Sequence, residues 1–392
     1  MAGSTAPAQN AIPFTGAALP YREKYFTKTW TPSTVGQDLS PLGNAIKSYG
    51  FARAQRLFLT TPTGGTGGTG HQDYPWNLFS QVMVSQPNGE ELYGSQTFSG
   101  FHAFLSAKHD AWKLANDPST WPSFNASATA PQFDLVIPHE INPEYGLGSL
   151  PNQDFSAPWK IQVTANTIAN SWPTTAPTTA PALQLDYFLD AWTVPAGQNP
   201  LNKAPQQTQP VFLGTLSKWT LQSYSPPVAT AFEVPFSRRG NAYRRLIFLL
   251  KSTTAAIGRV ATTNYPNPVT LRWDGTIVRT GDDPRLWVDD EYMIRGGQAA
   301  ATPVTAEAGV IALSMAAVAG VDMQGPALTL GEEAFWGTVQ SSTITLNGTW
   351  GASGGLLEQI TNDVQLVNLT GNPYQFNQGV YLQAPAQASA RP

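Results

Sequence analysis

The chain contains no cysteine. Disulfide staples and thiolate metal sites are excluded, and the redox compartment leaves no trace in the sequence. Charge is scarce too: Asp, Glu, Lys and Arg make up 12% of the residues, about half the usual ~25%. So little charge keeps a free monomer poorly soluble, and much of the surface is expected to lie against other chains. The net charge of −4 argues against bulk attraction to nucleic acid. The longest apolar run, residues 308–321, spans 14 residues with Ser314 inside. It is shorter than the ~20 needed to cross a bilayer and reads as buried strand. The N-terminus, Met1-Ala-Gly-Ser-Thr-Ala-Pro-Ala8, lacks the basic region and apolar core of a signal peptide. The chain is therefore expected to stay inside the cell that makes it until lysis.

What is present is a repeat. One copy starts at Phe51-Ala-Arg-Ala-Gln-Arg-Leu-Phe-Leu59 and reaches Asp73-Tyr-Pro75. The other starts at Tyr243-Arg-Arg-Leu-Ile-Phe-Leu-Leu250 and reaches Asn264-Tyr-Pro266. Aligning Arg56-Leu57 with Arg245-Leu246 sets an offset of 189, whereas Tyr74 and Tyr265 are offset by 191. Each copy continues into a tight turn, Pro87-Asn-Gly-Glu90 or Trp273-Asp-Gly-Thr276, then a short strand and a candidate helix. Repetition at this scale signals a duplicated domain. The length of 392 residues accommodates two units of about 170 residues, each large enough to bury a core.

Short strands dominate from residue 50 onward, among them 56–60, 79–84, 159–164, 183–189, 211–213, 219–223, 246–250, 269–273, 342–346 and 364–367. They are β-branched or aromatic, several alternate apolar with polar, and Gly/Pro loops separate them, as in sandwiches and barrels. Two helices are expected. In 98–115, Phe98, Phe101, Phe104, Leu105, Lys108, Trp112 and Ala115 share a face, with Thr97 as N-cap and Asn116-Asp-Pro118 as stop. In 284–295, Asp283 caps, Pro284 opens the first turn and Arg295-Gly296 closes. Trp112 and Trp287 are expected to anchor these helices on their respective units. Residues 1–39 are rich in Ala, Pro, Thr and Gln, which reads either as a disordered tail or as an arm ordering on a neighbouring subunit through Tyr21, Tyr25, Phe26 and Trp30. The domain reading is an arm over 1–39, units over 40–210 and 211–385, and a tail over 386–392.

Candidate chemistry is sparse. Gly64–Gly70 lacks the Lys-Ser/Thr of a phosphate loop, since His71-Gln72 follows, and reads as a hairpin loop. His102 and His109 lie seven apart on one helix face, with Asp110 or Glu140 as the third ligand that a metal site would need; partly buried helix histidines are the plainer reading. Asp289-Asp-Glu291 and Glu332-Glu333 could serve as glycosidase carboxylates, although a helix N-terminus accounts for the first group. Arg238-Arg239 and Arg244-Arg245 form the densest basic patch, read as a solvated or interface-paired strand edge. No Ser-His-Asp or Gly-x-Ser-x-Gly arrangement occurs. The expectation is an all-β protein without catalytic residues, cofactor or metal.

Several stretches resemble the double jelly-roll major capsid proteins of tailless, tectivirus-like phages with an internal membrane. They are Asp73-Tyr-Pro-Trp-Asn-Leu-Phe79 with the turn at Asn88-Gly89, Ile137-Pro-His-Glu-Ile-Asn-Pro-Glu-Tyr-Gly-Leu-Gly-Ser-Leu-Pro-Asn152 leading into Ala157-Pro-Trp-Lys-Ile161, Gly214-Thr-Leu-Ser-Lys-Trp-Thr220, and Asn264-Tyr-Pro-Asn-Pro-Val-Thr-Leu-Arg-Trp-Asp-Gly275. The resemblance covers roughly residues 40–290 and involves turns and strand edges. It implies two tandem eight-stranded jelly rolls, each with a flanking helix, in a homotrimer of pseudo-hexagonal outline. Such trimers tile an icosahedral virion shell over an internal membrane and double-stranded DNA. The implied partners are neighbouring trimers, minor capsid, vertex and membrane proteins, and the membrane surface, without specific nucleic-acid binding. The implied site of assembly is the host cytoplasm. The loops at 61–70 and 172–181 depart from the pattern and could decorate the outside. The alternatives are a carbohydrate-active β-sandwich, lectin or glycosidase, or a virion spike.

Overall fold

Alternation sets the strands. Ile161, Val163 and Ala165 point into a core while Lys160, Gln162 and Thr164 stay half-exposed, the period of two that a half-buried strand requires. The computed structural model describes residues 11–110, 124–143, 145–210, 213–225, 231–236, 241–251, 258–259, 265–281, 309–315, 327–330, 333–338, 342–350 and 355–365. The first half contains β1 (Pro20–Trp30), β2 (Phe51–Thr63), β3 (Phe79–Ser85), β4 (Glu91–Tyr93), β5 (Phe133–Pro138), β6 (Leu150–Pro151), β7 (Lys160–Ala165) and β8 (Ala182–Trp192). The second contains β9 (Leu216–Tyr224), β10 (Ala231–Pro235), β11 (Ala242–Lys251), β12 (Val269–Trp273), β13 (Thr276–Gly281), β14 (Val310–Ser314), β15 (Ala327–Leu330), β16 (Glu333–Gly337), β17 (Ile344–Thr349) and β18 (Leu356–Gln365). The helices are α1 (Phe14–Ala17), α2 (Gly100–Lys108) and α3 (Ile168–Ser171).

The two halves repeat one topology. In the first, one sheet runs β1-β8-β2-β5. The facing sheet runs from an extended stretch bridged to β7 at Asp38 and Ala45, through β7 and β3, to β4. In the second, the sheets run β9-β18-β11-β14 and β10-β17-β12-β13. Strand for strand the order is the same, and each half is a jelly roll.

Bulges place the repeat in register. Opposite β8, β2 skips Arg53, and opposite β18, β11 skips Arg244. Opposite β3, β4 skips Leu92, and opposite β12, β13 skips Val278. An extra residue bends a strand at one place, so matching bulges mark matching positions. Arg53 thus corresponds to Arg244, an offset of 191 in agreement with Tyr74 and Tyr265. The alignment of Arg56 with Arg245 is two residues out of step.

Two expectations change. Residues 20–30 are not a tail or a detached arm; they form β1, paired with β8. Tyr21 stacks on Tyr49 at 4.2 Å, the Tyr25 hydroxyl donates to Gln55 Oε1 at 3.2 Å, Phe26 lies 5.6 Å from Tyr187, and Trp30 is buried near Phe79. The aromatic surface of this stretch is spent inside its own roll. Helix α2 is capped by Ser99 rather than Thr97, because the Ser99 N–H donates to His102 Nδ1 at 3.0 Å in a capping box with His at the third position. The loops at 61–70 and 172–181 zip together: Thr66 pairs with Thr179 and Thr69 with Thr175. Trp112, Trp287 and the helix expected over 284–295 lie outside the described residues.

The turns demand particular residues. Asp274 and Gly275, with φ of 51° and 79°, form the two-residue hairpin turn whose twist matches the strands. Gly94 is a sharper case. Its φ is 72°, and a Cβ there would stand 2.4 Å from the Val82 carbonyl oxygen. Gly94→Ala is expected to destabilise the protein by more than about 1 kcal/mol, read as a shift in the denaturant midpoint. Gly89, at φ 91° with open space around it, provides the comparison. Gly89→Ala should cost less, and equal losses would contradict the steric account.

Candidate assembly site: the seam between the rolls

Gly94 opens the join between the two rolls. Its N–H donates to the Trp219 carbonyl at 2.8 Å. Tyr93 of β4 pairs in parallel with Trp219 of β9. The second sheet of the first roll and the first sheet of the second roll therefore form one sheet of nine strands.

Apolar side chains fill the space behind this join. Trp219, Ile247, Leu249, Val310, Ala312 and Ile360 of the second roll are buried in one cluster with Phe98, Phe101, Phe104 and Leu105 from the first. Positions 246, 248 and 250, one step out of phase, face the second roll's own core. Strand β11 is thus apolar on both faces, and its nine buried positions from Ala242 to Leu250 are continuous. A strand covered on both sides reads this way.

A buried polar network crosses the seam. Arg244 donates to both carboxylate oxygens of Asp110, at 3.0 and 2.6 Å, and to Asn362 Oδ1 at 2.6 Å. The Arg244 and Asp110 side chains are 0% and 1% exposed. Asn362 is held in turn by Ser217 and the Lys218 carbonyl. Arg245 donates to the His109 carbonyl at 3.0 Å. Arg259 donates to Asp73 at 2.8 Å and lies 4.8 Å over the Phe101 ring. Lys218 pairs with Glu90. The first roll contributes mainly acids and the second mainly arginines.

His102 links the helix cap to the second roll. Its Nδ1 accepts from the Ser99 backbone, so the proton of the neutral ring sits on Nε2, which faces Glu358 Oε2 at 2.9 Å. Lys251 reaches the same oxygen at 2.7 Å. Burial alone would raise the Glu358 carboxyl, but the His102 hydrogen bond and the charge of Lys251 outweigh it and hold the group at about 2.

The residues singled out from the sequence land unevenly. Arg244, Arg245, His102, His109 and Asp110 converge on the seam, although no metal site forms: among the described residues no group of three His, Cys, Asp or Glu could hold an ion. Glu140, the other ligand considered for the histidine pair, sits elsewhere. It is buried against Arg53 at 2.7 Å, with Trp192 Nε1 at 2.5 Å and Ser149 Oγ at 3.1 Å. Burial pushes its carboxyl up, against the pull of Arg53 and these donors. Tyr21, Tyr25, Phe26 and Trp30 lie on β1, away from the seam. Asp289, Glu291, Glu332, Arg238 and Arg239 are outside the described residues. Asn362, Glu358, Arg259 and Asp73 were missed. Partners more than a hundred residues apart leave no local pattern, and the Arg244-Arg245 patch and the seven-residue spacing of His102 and His109 were the available signals.

Removing one member of a fully buried ion pair strands the other charge, at a cost of about 3–5 kcal/mol. Asp110→Ala is expected to lose stability of that order in denaturant unfolding. Arg22→Ala, at a side chain 53% exposed, should lose less than about 1 kcal/mol. The seam also titrates. Glu358 is held below its unfolded value, so its contribution is complete above about pH 4.5 and lost as pH falls toward 2, roughly 3 kcal/mol in all. Glu358→Gln should flatten acid unfolding between pH 4.5 and 2, and an unchanged acid limb would contradict this assignment.

No family model and no curated protein matches the chain. Solved structures do. The chain is similar to the major capsid protein of Sulfolobus Turreted Icosahedral Virus, with a TM-score of 0.56 and 12% identity over 89% of this chain and 97% of that one. The same virus's atomic structure gives 0.57 and 13% over 94% and 98%. The PBCV-1 virus capsid gives 0.52 and 11% over 88% and 94%. The expected architecture is present: the chain has the double jelly-roll fold of these capsid proteins.

Proposed function

We propose that the chain is a major capsid protein that assembles as a homotrimer and tiles an icosahedral virion shell, with a structural rather than a catalytic role. The observation that carries this reading is the asymmetry of the seam. Two like rolls meet head to tail: α2 and β4 of the first lie on the outer face and edge of a sheet of the second. Such a contact leaves the opposite pair of surfaces unused, and a heterologous contact repeats until it closes into a ring or grows as a filament. Three chains closing the ring place six similar wedges around an axis, the outline a hexagonal lattice needs.

Low charge fits this role, since subunits in a shell bury much of their surface. The fold likeness to viral capsid proteins agrees with it. The sequence resemblance extends the proposal to a shell over an internal membrane and double-stranded DNA, with minor capsid, vertex and membrane proteins as partners and assembly in the host cytoplasm. Residues 1–10 are the part of the arm left to act between subunits or toward the membrane, because Phe14 packs on Phe51 and Trp192 within its own roll.

Multi-angle light scattering is expected to give three times the 42.1 kDa chain mass, with six-lobed particles in negative stain. A monomer stable to concentration would overturn the reading. Deleting residues 1–10 should leave that trimer intact and reduce shell assembly.

A further inference from the structure

The duplication specifies where the next chain docks. Carrying the bulge register through the strand pairings gives a position-by-position map. Arg56 corresponds to Ile247, Phe58 to Leu249, Phe188 to Ile360 and Arg22 to Trp219. The second roll's members of these pairs are all buried against the first roll. The first roll's members form the outer face of β1-β8-β2-β5, and none is fully buried: Phe58 and Phe188 are half-buried, with Arg22 at 53% and Lys24 at 49% side-chain exposure.

The strand edges repeat the relation. In the seam, the outer edge of β4 meets the outer edge of β9. Their counterparts, β13 and β1, each end a sheet and have no partner strand on that edge among the described residues. An open strand edge is a template for pairing with another chain.

We propose that this face of the first roll, together with the edge of β1, is the seat for the second roll of a neighbouring copy, led by β13. The inference rests on the capsid-trimer reading and assigns the residues of its subunit contact. The Tyr93–Trp219 pairing inside the chain translates, through the second pair of bulges, into Arg279 of one copy beside Arg22 of the next. Apart from the two arginines at the joint itself, which repel, charge favours the same occupant. The aspartates of the seat are covered by their basic partners, with Asp190 6% and Asp186 11% exposed, whereas Arg22 and Lys24 stay about half exposed. In sequence, the stretch after β13 contains Asp282, Asp283, Asp289, Asp290 and Glu291 against Arg285, and it follows β13 in the chain as the stretch of α2 follows β4. The internal seam uses the same polarity of cation and acid, with the rolls exchanged.

The absence of native cysteine makes the test clean. A chain carrying Arg22→Cys and Arg279→Cys is expected to oxidise to covalent dimers and trimers on a non-reducing gel, while either substitution alone leaves monomer bands. A trimer by light scattering that yields no cross-link overturns the seat and leaves the capsid reading standing. A wild-type chain that forms no trimer overturns both. Lys24→Glu supplies a variant that leaves the Arg22–Asp190 pair in place. It should weaken trimer association at least tenfold at low salt with the melting temperature of the monomeric fold unchanged, and an unaltered association constant would also overturn the seat.

Discussion

Arg244 is fully buried, and its charge is met by Asp110 from the other roll and by Asn362 from its own sheet. Shifting one roll against the other would part this buried arginine from the Asp110 carboxylate, at a cost of several kcal/mol. The apolar contact around it is non-directional and would tolerate some sliding; the bidentate fork does not. The continuous nine-stranded sheet and the His102–Glu358 link depend on the same placement. The seam thereby joins the two jelly rolls through one continuous sheet and one shared apolar cluster.

The bulge that carries Arg244 recurs in the first roll at Arg53, with a different answer to the same charge. There the acid is Glu140, supplied from within the roll and surrounded by Trp192 and Ser149. The first roll thus answers its bulge arginine with an acid of its own, while the second draws its acid from the neighbouring roll. This difference separates a contact made once inside every chain from one made only on assembly. A seat between chains that contained an unanswered buried arginine would leave the free subunit unstable. The charges on the first roll's outer face, Arg22, Lys24 and Arg56, are instead paired in place and partly hydrated, so the subunit tolerates waiting for its partner.

Much of the fold was legible because its signals are local. The alternation of Trp159–Thr164, the Asn88-Gly89 and Asp274-Gly275 turns and the phenylalanine stripe of α2 each point to the element found there. The duplication was legible as a repeat but two residues out of step, because Arg56-Leu57 and Arg245-Leu246 match in sequence while the equivalent bulges fall at Arg53 and Arg244. Strand β1 was missed for a related reason: the bulge at Tyr25 breaks the alternation and sets Tyr25 and Phe26 side by side, in a stretch whose Ala/Pro-rich surroundings resemble a tail. The seam was illegible as a whole. Arg244 and Asp110 are 134 residues apart, and each looks alone like a surface charge.

The central claim is that one contact, made inside the chain, is made again between chains. A cryo-electron microscopy reconstruction of the assembled protein tests it directly. The account predicts that the rotation carrying the first roll onto the second within a chain equals the rotation carrying the second roll onto the first roll of the next chain. Both should be close to a sixth of a turn about a common axis, with β13 beside β1 at the joint. A reconstruction in which chains meet through a twofold axis, or in which the outer face of β1-β8-β2-β5 is left open to solvent, would contradict it.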